Sequence, residues 1–440
     1  MSTLELRFDW EDPGGAQGAE LRATWARLKI LVDGTPITRV IDHRVRSWRD
    51  SVVLPIYPLA EWLTSHWWML WSEAERSVTP DRAAFMGRHC IASAREGFAL
   101  PALTVLPAGE WVQLQWQPEE LHHQQLSFPG RGSCWIPTSA AQDALSSFIN
   151  SVVARLEEQG LQETRLQQDW RAILNADADE QGFCRCAASL GLDPYDLPED
   201  FSEALIDLAE QIPADLQDDF FQSSYSTTLE QLGHNLQLLK QAQGQSQRQR
   251  QTAFLDELCN LKNRIATSSL PLHEVPWIQG YALAHGVRAQ MSDHGSDLAP
   301  QELLRQLVGD DSGIMRQSPW DSVREFVGYF GPNGCGGPGF VLASGSDERR
   351  RFLMARALGL YLWPTPRREG LVTTGLTSEQ KRNRAFAAEL LAPSAELRAT
   401  ISGPVVSGDE LDQIANHYGV TSELMRRQLT NHGIATVSED

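Results

Sequence analysis

In LRATWARLKILVDGTPITRVID (residues 21–42) apolar and polar residues alternate on both sides of Asp33–Gly34, a pattern that predicts a β-hairpin. LPALTVLPAGEWVQLQWQP (100–118) predicts a second pair of strands around its PAGE turn. Between them, PLAEWLTSHWWMLWSEAE (58–75) spaces its apolar residues for a helix, with Trp67 and Trp71 four apart and Trp68 beside them. Eleven of the fourteen tryptophans precede residue 171. Tryptophan buries a large area, so a packed, Trp-rich α+β domain is expected over 1–135, in preference to an exposed aromatic recognition surface.

From residue 136 the period lengthens. SAAQDALSSFINSVVARLEEQG carries apolar residues at three- and four-residue steps and stops at Gly160. TRLQQDWRAILNA and EALIDLAEQI continue the pattern, and DPYDLPED interrupts it with two prolines. QLLKQAQGQSQRQRQTAF (237–254) is rich in Gln and poor in apolar residues, which predicts a linker or a solvated helix. Residues 136–268 therefore read as a helical connecting region.

A third region, 269–400, opens with PLHEVPWIQGYALAHGVRAQM, a helix after Pro276, followed by loop and strand in GYFGPNGCGGPGFVLASGSDE. The glycines here lack both the Lys–Ser/Thr end of a phosphate loop and dinucleotide spacing, so a hairpin loop is expected. DERRRFLMARALGLYLW (347–363) follows Ser346 and begins with Asp347 and Glu348, together a good helix start, and carries Phe352, Ala355, Leu358, Gly359 and Leu362 as a core-facing stripe. In 401–440, SGDELDQIANHYGVTSELMRRQLTNHGI predicts two helices about Tyr418–Thr421, a helix-turn-helix-like pair.

Charge changes the picture of partners. The 440-residue chain has a formal charge of −19 with 42% apolar and 22% charged residues, which fits a globular protein of several domains and argues against broad nucleic-acid binding. Thirteen acids and one base, Arg185, lie between Asp177 and Asp219, and read as a solvated surface or a docking face for a basic partner. Residues 345–382 run the other way, with eight bases and four acids. The first residues lack the cationic region of a secretory signal, and no stretch is apolar enough to span a bilayer. The six cysteines are scattered, with Cys184 and Cys186 a lone C-x-C, so buried reduced thiols and a cytoplasmic location are expected.

Residues 269–440 resemble the ImmA/IrrE family of metallo-endopeptidases in four successive features: a Gly-containing β segment, the RRRF…A…LG helix, AFAAELLAP, and the closing LDQIANHYGVTSELMRRQL. The resemblance implies a zincin-like domain and an overall α+β fold. In the family the first helix carries His-Glu-x-x-His, whose histidines four apart share a zinc ion while the glutamate works on its bound water. Aligned on Leu358–Gly359, those three places hold Arg356, Ala357 and Leu360, and the third ligand falls on Arg382. None of these side chains offers a lone pair to a cation.

A degenerate site without metal or cofactor is therefore expected, with Arg356 and Arg382 as candidate anion contacts and Glu389 as a residual candidate ligand. His273 with Glu274, His285 with His294, and Cys335 fit no metal or nucleophile pattern. The resemblance implies a non-catalytic regulatory or binding protein of a bacterial stress, mobile-element or toxin-linked system, holding a regulator, a toxin-like protein or a small anionic ligand. The alternatives are a zinc endopeptidase with unrecognised ligands, and a transcription regulator contacting DNA through Arg426 and Arg427. Glu423, near the end that would enter a groove, weighs against the last.

Overall fold

A computed structural model describes residues 3–14, 18–75, 82–224, 228–249, 253–266, 270–292, 304, 319–320, 325–364 and 367–438. Strand Leu4–Trp10 (β1) pairs antiparallel with Trp25–Val32 (β2), Leu4 opposite Val32. The hairpin expected at Asp33–Gly34 forms, but its second arm, Thr35–Pro36 (β3), is two residues long, and Val52–Pro55 (β4) takes the rest of that edge of β2. The expected helix over 58–75 is two helices, Tyr57–Ser65 (α1) and Trp67–Ser72 (α2), divided at His66. Ala102–Ala108 (β5), Trp111–Gln117 (β6) and Gly132–Pro137 (β7) make an antiparallel meander. Helix Thr138–Glu158 (α3) stops before Gly160, which has φ 72°.

Four of the eleven tryptophans before residue 171 are core, and six more are partly buried. Trp62, Trp67, Trp116 and Trp170 are buried, and the rings of Trp67 and Trp170 meet edge to face at 5.0 Å. Trp170 also donates its indole N–H to Asn150 Oδ1 at 2.8 Å, so burial leaves no orphaned donor. Trp48 is the exception, 66% exposed.

Contacts divide the chain into two compact units, Met1–Ile206 and Asp207–Asp440, each with its own apolar core. The division falls inside the stretch read as one connecting region. In the second unit, helix Leu229–Gln247 (α4) covers most of the Gln-rich stretch; residues 250–252 lie outside the described part. It is no solvated linker: Leu232, Leu236, Leu239, Ala242 and Ser246 are buried, and the helix packs on the sheet that follows.

That sheet is antiparallel. Phe326–Pro332 (β8) is central, flanked by Pro338–Leu342 (β9) and Gly370–Thr373 (β10). Helix Pro276–Ser292 (α5) precedes it, Asp347–Leu362 (α6) lies between β9 and β10, and Ser378–Leu391 (α7) follows. Ser394–Thr400 (α8), Gly408–Tyr418 (α9) and Ser422–Asn431 (α10) complete the chain, with Gly419 at φ 63° closing α9 as the expected turn between two helices. The fold is thus mixed α+β with small sheets. No helix among the described residues is long and apolar enough to cross a membrane. All six cysteines are free; Cys335, expected to be buried, is exposed in the β8–β9 turn because Asn333, rather than packing, holds that turn.

Two glycines set the helix spacing. A Cβ on Gly280 of α5 would lie 2.3 Å from the Arg382 carbonyl oxygen, and one on Gly359 of α6 would lie 2.6 Å from the Phe386 ring. Both α5 and α6 therefore approach α7 more closely than larger residues allow.

Candidate functional site

Ser346 caps α6 by accepting the Arg349 N–H at 3.4 Å, and Asp347 and Glu348 place negative charge at the positive end of the helix dipole. From Leu353 to Leu362 every residue is buried, so the core-facing stripe expected from sequence is a full circumference there. Phe352, placed in that stripe by its spacing, is only partly buried and faces open space.

Arg356, at the place implied for the first histidine, is 3% exposed. Its Nε donates to Asn383 Oδ1 at 2.9 Å, and Nη2 donates to Gln380 Oε1 and the Thr373 carbonyl, both at 2.7 Å. Burial, then the charge of Arg384, push its pKa well down, while Asp219 works the other way. A guanidinium is basic enough to stay charged through this. Asp219 accepts from the Thr377 hydroxyl at 2.8 Å and from Gln380 Nε2 at 3.0 Å; burial and the neighbouring Glu379 push its carboxyl up to about 8. Ala357 and Leu360 are buried in the apolar core. Arg382 stacks 4.0 Å over Trp363 and donates to Glu379 Oε1 at 2.7 Å; Glu379 also pairs with Arg367. Arg356 and Arg382, expected to meet an anion, instead donate inward.

Glu389 is fully buried. Its Oε1 accepts from the Ser394 N–H (3.1 Å) and hydroxyl (2.9 Å) and lies 2.9 Å from His285 Nε2. Its Oε2 accepts from Gln428 Nε2 at 2.7 Å, with His432 Nε2 3.2 Å away. Burial opposes the charge, but the hydrogen bonds from His285 and Ser394, with His432 beside Oε2, outweigh it and hold the carboxyl down at about 2. The hydrogen bond to Glu389 in turn raises the pKa of His285. One carboxylate thus joins α5, α7, α8 and α10. Among the described residues no three His, Cys, Asp or Glu side chains are grouped to hold a metal ion.

The remaining candidates are apart from this cluster. His273 and Glu274 are exposed, and His294 lies outside the described residues. Arg426 is half-buried, while Arg427 is exposed and donates to Glu423 at 2.6 Å.

Between α5, α6, α7 and α10 opens a cleft of about 1080 Å³. Trp277, Ile278, Tyr281, Phe352 and Leu424 supply its apolar wall. Arg349, Lys381, Arg384, Arg398 and Arg427 supply five bases, against Glu348 and Glu423. Neither Arg356 nor Arg382 lines it.

No protein-family model matches the chain, and no curated protein matches it. The site therefore rests on its own geometry. Of the cleft's five bases only Arg349 and Lys381 belong to the basic stretch 345–382, whose Arg356 and Arg382 point inward. The spacing of Lys381, Arg384, Ala385 and Ala388 marks one face of α7 and was the available signal.

Proposed function

We propose that this chain is a non-catalytic, ImmA/IrrE-like protein that acts by binding. What supports the reading is that the four stretches carrying the resemblance form, in order, a β-hairpin, the buried helix α6, the AFAAELLAP helix α7 and the closing helix pair α9–α10. The observation that carries the reading is the fate of Arg356. It occupies the place of a metal ligand, yet its guanidinium ties α6 to α7 through Gln380 and Asn383. A cation there opposes metal entry, and its removal breaks the helix pair. The cleft beside it remains available to a regulator, a toxin-like protein or a small anion in the cytoplasm.

The test is elemental analysis of the purified full chain together with a peptidase assay. The expected result is substoichiometric zinc and no cleavage that a chelator abolishes. Close to one zinc per chain with chelator-sensitive cleavage would overturn the proposal.

A further inference from the structure

We propose that the cleft between α5, α6, α7 and α10 binds an acidic peptide segment that also carries an aromatic or branched apolar side chain. The inference rests on the binding role above and names the ligand class.

The charge of the lining is inverted relative to the molecule. Five bases face two carboxylates in a chain whose formal charge is −19. Both carboxylates have basic neighbours: Glu423 pairs with Arg427 at 2.6 Å, and Glu348 lies 3.6 Å from Arg351, outside the lining. Arg398 donates to the carbonyl of His432, an acceptor without net charge. Arg349 has no ion-pair partner among the described residues. Such a surface attracts anions despite the acidic chain around it.

Size and distribution favour a segment over a small anion. At about 1080 Å³ the cleft is at the upper end of, or beyond, the roughly 300–1000 Å³ typical of small-molecule pockets. Its bases come from four helices, α6, α7, α8 and α10, and the apolar residues lining the same cleft would bury a side chain.

A polynucleotide fits less well. Stacking platforms need open aromatic faces, but the Tyr281 ring lies 4.6 Å from the His432 ring and Phe352 lies against Arg356. A run of phosphates would also meet the full repulsion of the acidic chain, whereas a peptide brings only a few charges.

The experiment is selection from a phage-displayed random peptide library on the immobilised full chain, followed by anisotropy with the labelled winning peptide. Enrichment of Asp or Glu together with Trp, Phe, Leu or Ile is expected. The exposed pair Arg349→Glu with Arg427→Glu should weaken that peptide by at least about tenfold. The charge-keeping pair Arg349→Lys with Arg427→Lys should retain most of the affinity, and melting curves report that each variant is folded. Failure to enrich, enrichment without acidic excess, undiminished binding to a folded charge-reversed variant, or tighter binding of labelled oligouridylate overturns the assignment. None of these outcomes alters the zinc result, and a zinc-loaded, active chain would not alter the selection result, so the two readings fail separately.

Discussion

Arg356 Nη2 donates to Gln380 Oε1 at 2.7 Å, linking the middle of one buried helix to the first turn of the next. The same Gln380 oxygen accepts the Thr373 N–H at 2.9 Å, and its amide nitrogen donates to Asp219 and to the Leu371 carbonyl. Strand β10, helices α6 and α7, and Asp219 thus share one buried polar network. Its members are satisfied only together.

Arg356→Ala leaves the Asn383 and Gln380 side-chain oxygens and the Thr373 carbonyl each one donor short. Loss of about 1–3 kcal/mol is expected, as for other buried polar groups left short of a partner. Arg356→Lys should recover only part, because one ammonium does not reproduce a planar fork of donors. Urea midpoints measure both; a midpoint unchanged by the alanine variant would remove the network from the stability account.

Glu389 makes the molecule acid-sensitive. Its folded pKa is depressed to about 2, so its stabilisation is complete above the usual carboxylate range and is lost as pH falls toward 2. The depression corresponds to a contribution on the order of 3 kcal/mol. His285 has the opposite sign: its raised pKa gives stability present at lower pH and lost as pH rises through that value. The two share the His285–Glu389 hydrogen bond, which counts once, while the Ser394 bonds belong to Glu389 alone. Stability of Glu389→Gln measured against pH should lose most of the decline below the carboxylate range that the parent protein shows; parallel curves would contradict this assignment.

Helix spacing gives a ranked prediction. Alanine gains up to about 1 kcal/mol over glycine in a helix, so a stabilising effect is the default. At Gly280 the added carbon meets a carbonyl oxygen at 2.3 Å, and overpacking at roughly 1–3 kcal/mol or more should win. At Gly359 it meets the edge of the Phe386 ring at 2.6 Å, which yields more readily than backbone. Gly280→Ala should therefore lower the urea midpoint more than Gly359→Ala, and the reverse order would show that α5 is free to move off α7.

Adjacent residues on α10 should behave differently. Gln428 is buried and donates to Glu389 Oε2 and the Ala392 carbonyl, so Gln428→Ala is expected to cost about 1–3 kcal/mol. Arg427 makes an exposed pair with Glu423, worth at most about 1 kcal/mol, so Arg427→Ala should leave stability nearly unchanged. Equal losses by thermal or urea denaturation would argue against the first assignment.

The elements that periodicity and caps specify locally were legible. The strand pairs around Asp33–Gly34 and PAGE, the Ser346 cap and the helix pair about Gly419 follow from residues only a few positions apart. Local sequence could not place the second arm of the first hairpin, because β4 competes for β2 from seventeen positions beyond its turn partner. Nor could the polar composition of α4 reveal its burial, since four or five apolar residues on one face suffice once a sheet lies against it.

At the site, the sequence alone determined what chemistry is absent from four positions: arginine, alanine and leucine have no donor for a metal whatever surrounds them. Only the tertiary structure decided what those arginines do. Direction along a helix is set by its rotation against its neighbours, and α5 and α7 pack closely enough at Gly280 to turn Arg382 toward Glu379 and Trp363. The same packing leaves Lys381 and Arg384, its chain neighbours, facing the cleft.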